Sequence, residues 1–173
     1  MLIKMGGAVL IILSTSLMGF SLAAKYRKRI KELRLLQIAF QMLSSEISYT
    51  QTPLPFALRE IGRKLSEPVS RFFLEGARLL GECRGKGLEE IWTEAVNKVF
   101  PGTCLTDKDR DLLLSVSSFL GISDQYHQEK QIILLLNHLK LSEKEAWESL
   151  QKNERMWKYL GVLGGLMLVI LLF

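Results

Sequence analysis

An all-α fold, a compact bundle of about six helices flanked by two transmembrane helices, is predicted by three observations. Apolar residues recur at steps of three and four through the middle of the chain, no segment sustains apolar-polar alternation, and uncharged runs occupy both ends. With 173 residues, 48% hydrophobic and 24% charged, there is room for one ordinary domain, and a disordered or low-complexity chain is excluded. Four prolines and no repeat period exclude collagen-like and solenoid architectures.

Residues 5–24 contain no charge, and as a helix they span about 30 Å, the thickness of a hydrocarbon core. A cleaved signal peptide is the competing reading, because Ser21, Leu22 and Ala23 offer small residues at a cleavage spacing. The flanking charge favours an anchor. Only Lys4 precedes the run, whereas Lys25, Arg27, Lys28, Arg29, Lys31 and Arg34 follow it, with Glu32 the one acid among them. Positive charge resists translocation, so the carboxyl end of this helix stays in the cytoplasm. The net charge of +5 is thus concentrated in one patch. At the other end, residues 159–173 are uncharged, and 156–158 extend the run if Lys158 snorkels. Lys152, Arg155 and Lys158 mark the near side of this second span as cytoplasmic, and Trp157 and Tyr159 suit the interfacial belt. The expected organisation is a short extracytoplasmic end (1–4), a transmembrane helix (5–24), a cytoplasmic helical domain (25–155) and a second transmembrane helix (156–173).

Between the spans each helix has its own signals. Tyr26, Ile30, Leu33, Gln37, Phe40, Leu43 and Ile47 form one stripe, polar only at Gln37 and flanked by Leu36 and Ala39, on a helix continuous with the first span. Thr52 and Pro53 supply an N-cap and a first-turn proline for a second helix through Phe56, Leu58, Ile61 and Leu65. Ser66, Glu67 and Pro68 begin a third, with Val69, Phe72, Phe73, Ala77 and Leu80 apolar, broken by Gly85-Lys86-Gly87. A fourth carries Ile91, Trp92, Ala95, Val96 and Val99 and ends at the Phe100-Pro101-Gly102 turn. Thr106 caps a fifth, where Asp107, Asp109 and Asp111 favour the helix dipole, and Gly121 closes it. Ser123 or Asp124 opens a sixth through Ile132, Leu135, Leu136, Leu139, Ala146, Trp147 and Leu150, running into the last span.

Chemistry-bearing motifs are scarce. Cys83 and Cys104 lack a CxxC pattern or adjacent histidines, so two free thiols are expected in a cytoplasmic domain rather than a zinc site or a disulfide. His127 and His138 could share a helix face but not a ligand. Arg84-Gly85-Lys86-Gly87 lacks the Walker spacing and reads as a turn. Asp107, Asp109 and Asp111 lack the glycine and distal glutamate of a calcium loop. No nucleophile has a base at hand, so the expectation is a non-enzyme without cofactor, catalytic residue or metal ligand. The basic run Lys25, Arg27, Lys28, Arg29, Lys31 and Arg34 is expected to contact anionic lipid or a partner rather than nucleic acid. Thr15 with Gly19, and Gly161 with Gly165, are small-residue pairs suited to packing of transmembrane helices.

The order and spacing of three segments carry a resemblance. These are Tyr49-Thr50-Gln51-Thr52-Pro53-Leu54-Pro55, then Phe119-Leu120-Gly121-Ile122-Ser123-Asp124 with Gln128, then Tyr159-Leu160-Gly161 with Gly164-Gly165-Leu166. Over its whole length the chain resembles the stage III sporulation protein AB family of endospore-forming bacteria. No one of these motifs is specific alone. The resemblance implies a fold like the cytoplasmic domain of the type II secretion F protein. It also implies a platform or adaptor in the channel between mother cell and forespore, on the mother-cell side of the forespore outer membrane, coupling a secretion-type ATPase of the same operon to channel subunits. The alternatives are a general membrane-anchored assembly scaffold without motor coupling, and a membrane-bound enzyme whose site follows none of the motifs above. Secretion F proteins usually duplicate the domain, so a single copy would call for self-association.

Overall fold

In the computed structural model the backbone is described for residues 2–172 except 51, 83–84 and 121–124, and side chains for 24–152 except 49–51, 83–84 and 121–125. Six α-helices follow one another: α1 (Leu2–Ser45), α2 (Leu54–Lys64), α3 (Val69–Glu82), α4 (Leu88–Val99), α5 (Asp107–Leu114) and α6 (Gln125–Leu172). The described residues contain no strand. A π-helical turn, Glu46–Thr50, leaves α1, and 3-10 turns Phe100–Gly102 and Ser115–Ser118 follow α4 and α5. The chain divides into two compact units, Met1–Lys28 with Glu145–Phe173, and Arg29–Lys144. Four short helices lie wholly in the second unit, while α1 and α6 each run through both.

The stripe on α1 is the spine of the second unit. Ile30, Leu33, Leu36, Ala39, Phe40 and Leu43 are all buried, at spacings that place them on one face. Phe40 meets Phe73 of α3 edge-on at 5.7 Å, and Phe73 meets Trp92 of α4 at 6.0 Å, so three helices share one aromatic chain. Burying an indole strands its N–H unless a partner is at hand, and Trp92 Nε1 donates to the Leu113 carbonyl at 2.6 Å. That bond ties α4 to the end of α5. Close packing of α2 on α3 depends on Gly62, where an added Cβ would sit 2.7 Å from Leu74 Cγ.

Local differences from the sequence-based expectations have physical causes. Thr52 does not cap α2. Its hydroxyl donates to Glu46 Oε2 at 2.9 Å, Pro53 takes the N-cap position, and Pro55 becomes the first-turn proline. The predicted fifth helix is α only to Leu114, then tightens into the 3-10 turn, where Ser117 Oγ donates to the Leu114 carbonyl at 2.8 Å. Phe56 is 58% exposed, outside the core, with Arg59 stacked over its ring. In the first unit Ala146 and Leu150 are buried, whereas Trp147 is 42% exposed. Among the described residues no helix is long and apolar enough to cross a membrane; the expected spans, 5–24 (but for residue 24) and 156–173, fall outside the described side chains.

Candidate functional site

The basic run at the start of the bundle is the one charge concentration the sequence offers, and the structure divides it. Lys25, Arg27 and Lys28 are exposed in the first unit. In the second, Lys31, Arg34 and Ile38 form an exposed strip on α1, whereas Arg29 turns inward. Arg29 Nε reaches Asp109 Oδ2 at 2.8 Å and its Nη2 reaches Oδ1 at 3.1 Å, a bidentate pair between α1 and α5. Arg29 therefore ties α1 to α5 within the second unit.

Asp109 is fully buried, which a helix-dipole role did not anticipate. It occupies the third position of α5, where its Oδ2 accepts the Thr106 N–H and hydroxyl, each at 2.8 Å, in a capping box. Burial pushes its carboxyl up, but Arg29 and the two Thr106 donors outweigh that and hold it below the usual carboxylate range. Glu32, the lone acid in the basic run, is buried one turn further along α1, and its Oε2 accepts the Cys104 N–H at 2.8 Å. Cys104 is a free thiol, and Cys83 lies outside the described residues.

A second clamp joins α1 to α6. Arg34 Nε donates to Glu143 Oε1 at 2.6 Å, and Gln37 Nε2 donates to Oε2 at 2.8 Å, which explains the polar interruption of the α1 stripe. Partial burial raises the Glu143 carboxyl, and the Arg34 and Gln37 donors more than reverse that. Between α3 and α4, Glu75 is held down to about 2, chiefly by Arg78, against burial and with help from Lys98.

The remaining candidates are placed as follows. Arg84 lies outside the described residues; Gly85 sits in a turn with a left-handed conformation (φ 107°), and Lys86 pairs with Glu94 at 2.9 Å. His127 and His138 are both exposed, and His138 lines a cavity between α5 and α6. Thr15, Gly19, Gly161 and Gly165 lie outside the described side chains. Among the described residues no three His, Cys, Asp or Glu side chains are grouped to hold a metal.

The described residues define an all-helical protein whose α1 is tied by side-chain bonds to α5 and to α6. A family model described as Stage III sporulation protein AB matches residues 4–173. The stage III sporulation protein AB of Bacillus subtilis (strain 168) is 36% identical over 171 residues, 99% of each chain. A solved structure of a stage III sporulation protein AB superimposes with a TM-score of 0.67 at 31% identity, covering 72% of this chain and 97% of that one. The chain belongs to the stage III sporulation protein AB family.

Proposed function

We propose that the chain is a membrane-anchored platform of the channel between mother cell and forespore, holding a cytoplasmic bundle by both terminal helices and coupling a cytoplasmic ATPase to channel subunits. The observation that carries this reading is the clamping of the two long helices. α1 (44 residues) and α6 (48 residues) contain the uncharged stretches, and Arg34 and Gln37 lock α1 to Glu143 of α6 within the bundle. A force applied to the short helices would pass through these ties into both long helices without first melting a loop. The Arg29–Asp109 pair extends the same continuity to α5. Exposed basic residues at the first span fit contact with anionic headgroups, each contributing about 1 kcal/mol near such a surface.

Copurification tests the coupling. Full-length protein extracted in mild detergent is expected to retain the ATPase encoded in its operon. Glu143→Ala should leave that association intact while impairing sporulation, because it loosens the transmission and not the docking. Normal sporulation without any ATPase association would favour a scaffold that carries no motor force.

A further inference from the structure

Five consecutive apolar residues, Ile132 to Leu136, cannot all face inward on a helix, and α6 shows the surplus. Ile132 and Leu135 are buried, while Ile133 is 51% exposed and Leu134 46%. Tyr126 and Leu141 are exposed as well. At about 100° per residue these four side chains fall within an arc of about 120°, together with Lys130, Asn137, Lys140 and Lys144. Every residue of that arc between Tyr126 and Lys144 is exposed; over this stretch it carries three lysines and no carboxylate, Glu129 and Glu145 lying just beyond its two edges and Glu148 following one turn past Lys144. None of the three lysines belongs to an ion pair among the described residues. Beside the arc lies a cavity of about 220 Å³, with Leu112, Ser115 and Phe119 on one wall and Leu134, Leu135 and His138 of α6 on the other.

We infer that this face of α6 and its adjoining cavity dock an acidic amphipathic helix of another protein, with an apolar side chain seated between Leu112 and Leu134. Charge selects the occupant. Covering the apolar stripe brings the ammonium groups of Lys130, Lys140 and Lys144 out of bulk water, which is costly unless carboxylates meet them. A second copy applied face to face would set lysine against lysine. A bilayer surface supplies anionic headgroups but cannot fill a concavity, whereas a helix lying in a groove fills one with a single anchor residue. The inference deepens the platform reading by naming the face and chemistry of a partner, and it depends on that reading only for the existence of one.

The test uses the full chain in zwitterionic nanodiscs and a labelled synthetic helix about five turns long, with leucines at i, i+3, i+4 and i+7 and glutamates elsewhere. Its counterpart carries lysine in place of glutamate. Fluorescence anisotropy, referenced to empty nanodiscs, is expected to show the acidic peptide binding about tenfold or more tightly than the basic one, with the preference shrinking as salt rises. Combining Lys130→Glu, Lys140→Glu and Lys144→Glu, all on exposed helix surface, should reverse the preference while the circular dichroism spectrum stays the same. Equal binding of the two peptides, or a preference untouched by the charge reversal, would overturn the inference. A spin label at Leu141→Cys, with Cys83 and Cys104 replaced by serine, gives a second readout in anionic nanodiscs. Relaxation by lipid-dissolved oxygen instead of an aqueous nickel complex would assign the face to the bilayer, and spin-spin coupling between labels would assign it to a second copy. Either result overturns the inference, and neither bears on whether an ATPase is coupled elsewhere.

Discussion

Four hydrogen bonds converge on the Asp109 carboxylate, two from Arg29 and two from Thr106. With Arg29 itself only 13% exposed, removing the acid would strand a guanidinium in the bundle. Asp109→Ala is therefore expected to destabilise the protein by about 3 to 5 kcal/mol in denaturant unfolding of the full chain, far more than loss of a surface pair. Arg78→Ala gives the contrast. Arg78 is 44% exposed, and its bonds to Glu75 and Glu82 should be worth at most about 1 kcal/mol. Because the Asp109 carboxyl is held below its ordinary 3.8, its ionised form stabilises the folded state above that pH. The contribution is lost as pH falls through the folded-state value, so wild type and Asp109→Asn should converge in stability on acidification below about pH 4. Half of this site was legible in the sequence: Thr106 followed three residues later by an acid is a capping-box spacing. The other half was not, because Arg29 lies 80 residues away and looks like any member of the basic run. Glu32 was visible as the odd acid in that run, but nothing local shows that it turns to Cys104.

At the scale of elements, the helices themselves were the readable part. The stripe on α4 named its buried residues and those on α1 and α3 most of theirs, since a period of 3.6 leaves little choice about which face is apolar. On α3, however, Leu79 is buried and the expected Leu80 only partly so, and Tyr26 and Ile47 at the ends of the α1 stripe are half-buried. Helix starts read less well. The Thr52-Pro53 pair looked like a cap, yet Thr52 bonds Glu46 across the π-helical turn, a contact that exists only once the chain has bent. Helix-helix distance was not legible at all, because a glycine mid-helix does not announce its neighbour. Gly62 is such a case: alanine gains about 1 kcal/mol of helix propensity but collides with Leu74. Overpacking should win, leaving Gly62→Ala less stable by about 1 to 2 kcal/mol in thermal or denaturant unfolding. The double variant with Leu74→Ala should recover part of the loss, since the colliding Cγ is removed.

For the whole molecule, charge placement and continuity of α1 and α6 carry the account. The family was legible from the order of short motifs along the chain, and the matches over residues 4–173 and to the Bacillus subtilis relative agree with it. The role was less so, because contact surfaces are assembled from residues distant in sequence and no motif encodes them. We expect the bundle in the cytoplasm with residue 173 beyond the membrane. In intact cells a membrane-impermeant thiol reagent should label Phe173→Cys and leave native Cys83 untouched; the reverse pattern would invert the topology. Tethering at both ends is the central claim, and heat-resistant spore counts test it most directly. In a strain whose own gene is replaced, deletion of residues 1–24 is expected to reduce spore formation to the level of the null, although immunoblots show normal amounts of protein. Parental spore counts from a soluble 25–155 bundle, at the same protein level, would contradict the account.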